Sequence, residues 1–162
     1  MNEKVLKTLE YYKIIKMLEN QADSEPGKKL CHALVPSADI HTIKENQKQT
    51  GDALSRIWQK GSLSFSGIHN IGESIKRLEI RSTLGTGELL RIDSLLKVAL
   101  RVKTFSRRDD EAERDSLDDM FEAIEPLTNL KNDIERCIIS EDEIADDASA
   151  NLKNIRRQMK IT

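Results

Sequence analysis

The chain has 162 residues, a length typical of one domain and sufficient to bury a hydrophobic core. Charged residues make up 33% and aromatic residues 4%, and the net charge of −2 excludes a chain that attracts nucleic acid over its whole surface. The first residues lack the pattern of a signal peptide, and no apolar run reaches the roughly 20 residues of a membrane span. The sequence therefore predicts a soluble cytoplasmic protein without membrane partners, in which Cys31 and Cys137 stay reduced.

Helical periodicity predicts three helices in the first part of the chain. Apolar residues at helical spacing from Val5 to Leu18 indicate a single first helix. Ser24, followed by Pro26 in a first turn, predicts the start of a short second helix. Asp39 is placed to cap a third helix whose apolar residues run from Ile40 to Ile57.

The middle of the chain predicts a break and then a long helix. Residues 61–70 are rich in Gly and Ser and indicate an irregular segment. Asn70 with Glu73 resembles a capping box that opens a short helix. Thr86 is predicted to cap a long helix, and its wide apolar face from Leu89 to Val102 indicates contact with more than one neighbour.

In the last third of the chain the sequence predicts further helices and one segment, 138–146, where the apolar spacing is no longer helical. Residues 107–116 are almost wholly charged and indicate a mobile connection or a frayed helix end. Amphipathic helices are predicted over 117–124 and 127–137, and apolar residues then flank an acidic turn, which indicates a small β-hairpin over 138–146. The predicted fold class is all-α, an irregular multi-helix bundle with this one hairpin.

The final segment, residues 148–162, predicts a helix that has no stop signal. Ser149 can cap it, and Leu152, Ile155 and Met159 recur at helical spacing. No Gly, Asn or Pro marks its end, as one usually does. We therefore expect 1–162 to be a single helical domain truncated within this helix.

No motif for catalysis, a cofactor or a metal stands out in the sequence. Gly27-Lys28 lacks both the first glycine and the hydroxyl residue of a P-loop. The three histidines are too scattered to suggest a metal site. The acidic clusters at 109–111 and 141–147 could hold Mg²⁺, but solvated acidic loops are far commoner. We expect no catalytic, cofactor-binding or metal-binding residue in this chain.

The terminal helix carries the candidate binding residues. It contains no acid from Leu152 onward, and Arg156, Arg157 and Lys160 are placed to contact the phosphates of a nucleic acid. A solvated polar face explains the same residues. Both interpretations stay open at this point, whereas for the basic residues of the long helix the solvated face is preferred.

Several segments together resemble the start of a known family. Leu9-Glu10-Tyr11-Tyr12-Lys13-Ile14 is similar to its L-E-[FY]-x-K-I entry, and residues 61–71 are similar to its G-x-L-x-F-x-G-I-x-D-I, with Asn70 replacing the acid. Residues 142–156 resemble its G-E-I-x-D-x-A-S-x-x-L-x-x-I-R, the most specific of these motifs, with Asp142 where the family often has Gly. The family is the second branch of bacterial MutS proteins, MutS-II, and the resemblance spans essentially the whole chain.

The resemblance implies a fold and a parent protein. The 162 residues would be an N-terminal helical core of the MutS core and lever type, with 148–162 as the base of the lever helix. The parent family is an ATPase that uses ATP and Mg²⁺, forms homodimers and carries a Smr endonuclease domain; the motifs of both activities are absent from this chain. The family is linked to branched DNA, suppression of homologous recombination, and binding and rescue of collided ribosomes.

Two functions from different classes follow. The first is a structural module that has the rest of the parent chain as its partner, positions the lever and clamp, and relays the state of the ATPase, with no catalysis of its own. The alternative is a stand-alone helical adapter that binds a protein partner through an apolar groove, for which the face from Leu89 to Val102 is the candidate surface.

Overall fold

The computed structural model describes residues 3–107 and 113–161, and within these ranges the fold is all-α, as predicted. The described part of the chain contains nine helices and no sheet. In chain order these are α1 (Glu3–Thr8), α2 (Tyr11–Glu19), α3 (Glu25–Ala33), α4 (Ile40–Lys60), α5 (Gly72–Glu79), α6 (Thr86–Ser106), α7 (Asp118–Glu122), α8 (Thr128–Cys137) and α9 (Ala150–Ile161).

Contacts within the chain define two compact units. The first unit comprises Met1–Ser66 and Arg101–Glu125, and the second comprises Gly67–Leu100 and Pro126–Thr162. The single domain predicted from the sequence stays a prediction. No helix in the described ranges is both long enough and apolar enough to cross a membrane.

The first predicted helix is interrupted, which corrects the expectation of one continuous element. Glu10 has φ 52° and ψ 32°, the left-handed conformation, and it separates α1 from α2. The backbone N–H of Glu10 donates to the Lys7 carbonyl at 3.1 Å, and the Glu10 carbonyl accepts from the Lys13 N–H at 2.8 Å. The break therefore leaves these backbone groups paired, although periodicity alone gives no sign of it.

The caps predicted for α3 and α4 are confirmed. The Ser24 hydroxyl accepts a hydrogen bond from the Gly27 N–H at 3.2 Å, and Pro26 lies in the first turn. The Asp39 carboxylate accepts from the N–H groups of His41 and Thr42. These bonds pair N–H groups that a helix start otherwise leaves without partners.

The charged segment before α7 is held in place where it is described, contrary to the expectation for 107–116. Residues 108–112 lie outside the described residues. Asp115, however, accepts two hydrogen bonds from Arg56 on α4, each at 2.7 Å. The next residue, Ser116, donates its N–H and its hydroxyl to the Asp52 carboxylate of the same helix. Asp115 and Ser116 thus anchor this segment to α4.

The second unit has its core between α6 and α8. Leu96, Ile134 and Ile138 form the buried cluster, and four partly buried residues pack against it: Leu89, Leu90, Ile92 and Cys137. Among the other residues of the predicted apolar face, Val98 is only 3% exposed. Most apolar residues of this face from Leu89 to Val98 are therefore buried or partly buried. The adapter hypothesis stays a prediction.

Charged residues also join α6 to α8. The Lys97 ammonium on α6 lies 2.7 Å from a carboxylate oxygen of Asp93 and 3.1 Å from one of Glu135 on α8. Glu135 in turn pairs with Lys131 at 2.5 Å. Hydrogen bonds to the carboxylates of Asp93 and Glu135 raise the pKa of Lys97.

Two predicted helix starts differ from their expected geometry. The hydroxyl of Thr86, the first residue of α6, donates to the Glu141 carbonyl instead of capping its own helix. The N–H of Gly85 pairs with the Glu88 carboxylate at 2.9 Å, so Glu88 supplies the cap. Asn70 does accept from the Gly72 N–H, but Glu73 pairs with Lys76 and completes no capping box.

The predicted β-hairpin over 138–146 is reduced to one isolated antiparallel bridge between Ile138 and Ile144. The Ile139 N–H donates to the Glu143 carbonyl at 3.0 Å, and the Ala145 N–H donates to the Cys137 carbonyl at 2.9 Å. The chain thus reverses direction as a hairpin does, but the paired stretch is too short to form strands. Burial of Ile138 and Ala145, at 8% and 7% exposure, holds the turn on the core.

Candidate nucleic-acid interface

The turn over 138–146 leads directly into α9, the helix that carries the predicted binding residues. The Ala148 N–H donates to the Ala145 carbonyl at 3.1 Å. The Ser149 hydroxyl then accepts from the Leu152 N–H at 3.1 Å, which confirms Ser149 as the cap. The position of α9 in the second unit is thus set by the turn that precedes it.

Arg156 reaches back from α9 to this turn. Its Nη1 donates to the Ile144 carbonyl at 2.8 Å and to an Asp146 carboxylate oxygen at 2.5 Å. Its side chain is 35% exposed. One guanidinium therefore binds both the carbonyl of the bridge residue and the carboxylate two residues later, and it connects α9 to the turn.

Lys160 lies near the same carboxylate. Its ammonium is 3.6 Å from the second oxygen of Asp146, and its side chain is largely exposed. The hydrogen bond from Arg156 is the main cause that lowers the pKa of Asp146, and the charge of Lys160 adds to it. Asp146 is therefore ionised at neutral pH and sits between two cations.

Arg157 differs from the other two predicted residues. It is exposed, and it makes no ion pair with any residue that the structure describes. The neighbouring cation Lys153 is also exposed. With one carboxylate beside four cations, the surface of α9 keeps a positive charge.

The structure thus brings two of the three predicted residues together around Asp146 and leaves the third exposed to solvent. In the sequence, Asp146 stands out only as a member of the acidic cluster 141–147, and nothing there indicates that it is the partner of Arg156. Asp146 and Arg156 are ten positions apart, a separation that is no recognisable helical spacing, and the intervening turn brings the two side chains together. Whether these residues bind nucleic acid stays a prediction.

The remaining sequence candidates are not assembled into a site in the described ranges. Within those ranges no three His, Cys, Asp or Glu residues are grouped so that they could hold a metal ion. The acidic residues 109–111 lie outside the described residues. Cys31 and Cys137 are free thiols, both partly buried.

These elements define a helical module in which α9 is basic. Comparison with known proteins identifies the family to which such a module belongs. No protein-family model matches the chain. It is similar to proteins called Endonuclease MutS2: 49% identical to that of Lachnoclostridium phytofermentans, over 100% of this chain and 21% of the relative. The protein of Agathobacter rectalis is 50% identical over 99% of this chain and 20% of the relative, and that of Lachnospira eligens is 44% identical over the same shares.

The chain belongs to the MutS2 family. The resemblance to MutS-II proteins predicted from the motifs is thereby confirmed. The chain spans about a fifth of the length of the curated relatives that it matches.

Proposed function

We propose that this chain is the N-terminal structural core module of a MutS2 protein, and that it sets the direction of the lever helix, of which α9 is the base. The contact of Arg156 with Ile144 and Asp146 carries this proposal. A helix that transmits movement needs a rigid attachment at its root, and here one side chain joins the helix to the turn before it.

The relatives are named endonucleases, and we assign that activity to parts of the parent outside this chain. By resemblance the parent also binds ATP and Mg²⁺, forms a homodimer in the cytoplasm and acts on branched DNA or on collided ribosomes. In this proposal the module has no catalysis of its own and relays the state of the ATPase to the clamp through the orientation of α9. The sequence motifs quoted above support this assignment.

The relay is tested in a full-length MutS2 protein that carries this segment. Arg156→Met removes both contacts of the guanidinium while it keeps an unbranched side chain. At saturating branched DNA, where weaker binding no longer matters, we expect the variant to lose most of the stimulation of ATP hydrolysis by DNA. Unchanged stimulation would contradict the relay.

We further propose that the basic surface of α9 contacts the phosphates of a nucleic acid through Arg156, Arg157 and Lys160. The absence of acids from Leu152 onward and the exposure of Arg157 support this part of the proposal. Alanine at all three positions should weaken binding to branched DNA or to ribosomes and reduce the dependence of affinity on salt. An unchanged affinity and salt slope would exclude the contact.

A further inference from the structure

The Asp146 carboxylate lies between two cations of α9. One of its oxygens accepts from Nη1 of Arg156, and the other lies 3.6 Å from the ammonium of Lys160. Two cations from successive turns of one helix thus converge on the two oxygens of one side chain. Arg156 and Lys160 are two of the three predicted phosphate contacts, and both pair with this carboxylate.

A phosphodiester offers the same chemistry as this carboxylate. Both groups present anionic oxygens, and guanidinium groups pair with either through charge-assisted hydrogen bonds. The site is also accessible, because the side chain of Asp146 is 57% exposed. An ion pair this exposed contributes little free energy, so an incoming anion can displace it.

We propose that Asp146 is an internal competitor for phosphate: a nucleic-acid phosphodiester that binds Arg156 and Lys160 displaces the Asp146 carboxylate. This inference rests on the proposed nucleic-acid contact of α9 and adds its regulation. The same guanidinium also donates to the Ile144 carbonyl, and this second bond keeps α9 attached to the turn when the carboxylate leaves. Only the pairing of Arg156 and Lys160 with Asp146 and their binding of a phosphate exclude each other.

The neighbouring Asp147 provides a matched control. It lies next to Asp146 and carries the same charge, but among the described residues its carboxylate makes no ion pair, and only its backbone carbonyl accepts a bond, from Arg136. Asp146→Asn and Asp147→Asn change the net charge equally. Only the first removes the competitor.

The experiment measures the affinity of the 162-residue chain for a labelled four-way DNA junction and for a labelled RNA hairpin of equal charge. We expect D146N to bind about two- to fivefold more tightly than D147N, the range that an exposed ion pair accounts for. The nucleic acid that shows this difference identifies the source of the phosphate. Equal affinities of D146N and D147N on both probes would overturn the inference.

The outcomes separate this inference from the function on which it rests. If the wild-type chain binds and alanine at Arg156, Arg157 and Lys160 weakens binding, but D146N and D147N bind alike, only the competitor role fails. If no variant binds either probe, or the triple alanine variant binds as well as wild type, the nucleic-acid contact fails and the inference fails with it.

A second measurement uses the wild-type chain, so its result does not depend on whether a variant folds. The carbon resonance of the Asp146 carboxyl group is followed by NMR in the wild-type chain as the DNA junction is added. We expect this resonance to shift towards that of a solvated carboxylate, while the resonance of Asp147 moves less. An Asp146 resonance that stays constant while the DNA binds would overturn the inference.

Discussion

Arg56 on α4 forms a buried, bidentate ion pair with Asp115, which lies 59 residues later in the chain. Nε and Nη2 of the guanidinium each lie 2.7 Å from one oxygen of the carboxylate, and Arg56 is 2% exposed. Nη2 also donates to Asp118 at 2.6 Å, and the guanidinium lies 4.6 Å from the centre of the Phe121 ring. This cluster fixes the segment before α7 onto α4.

Arg56→Met tests how much this cluster stabilises the first unit. The variant leaves Asp115 and Asp118 without their shared cation, and losing one partner of a buried pair costs about 3–5 kcal/mol. We expect a fall of that size in the free energy of unfolding, measured with urea. Arg157→Met, at an exposed position, should change it by no more than about 0.5 kcal/mol. Equal stabilities of the two variants would show that the ion pair does not hold the segment.

The pH dependence of stability should contain a contribution from Asp52. The hydroxyl and the N–H of Ser116 lower the pKa of Asp52 from its ordinary 3.8. A carboxyl group whose pKa is lower in the folded state stabilises the fold above its unfolded pKa, and this contribution is lost as pH falls through the folded pKa. We therefore expect the stability difference between wild type and Asp52→Asn to be constant at neutral pH and to shrink below pH 3.8.

Asp147→Asn is the control for this measurement, because it removes the same charge where no side-chain hydrogen bond is made among the described residues. Urea unfolding of the three proteins from pH 7 downwards gives both differences. A difference for D52N that grows as the pH falls would contradict the assigned sign.

Two glycines should respond to alanine in opposite directions. Gly67 has φ +93°, and a Cβ there would lie 2.8 Å from the Ser94 hydroxyl. Gly51 lies within α4, and a Cβ there would meet nothing within 4 Å. We expect G67A to lose roughly 1–2 kcal/mol or more through backbone strain, and G51A to gain up to about 1 kcal/mol of helix propensity. Thermal unfolding measures both, and a stabilising G67A would contradict the described backbone.

The elements that sequence predicted well are those with local signals. Ser24, Asp39 and Ser149 each accept a hydrogen bond within their own first turn, so a pattern of a few residues contains the whole interaction. The break at Glu10 has no such signal, because the apolar spacing on either side fits one continuous helix. The short turn over 138–146 resembles a hairpin in sequence, yet it forms only one bridge.

The contacts that sequence could not predict join residues far apart in the chain. Arg56 belongs to a predicted helix, and Asp115 to a segment predicted to be a mobile connection or a frayed helix end; only the fold brings them together. Arg156 was correctly placed on the terminal helix, but its partner Asp146 lies before the helix start. The basic character of α9 was therefore predictable from the sequence. The pairing of Asp146 with Arg156 and Lys160 was not.

The central claim is that Arg156 attaches α9 to the rest of the second unit, and hydrogen exchange of the α9 amides tests it most directly. Wild type, Arg156→Met and Arg157→Met are compared in the 162-residue chain, the last as the adjacent arginine without an ion pair among the described residues. We predict that the amides of residues 152–157 exchange faster in R156M only, because the helix loses its link to Ile144 and Asp146. Equal protection of α9 in all three proteins would contradict the account.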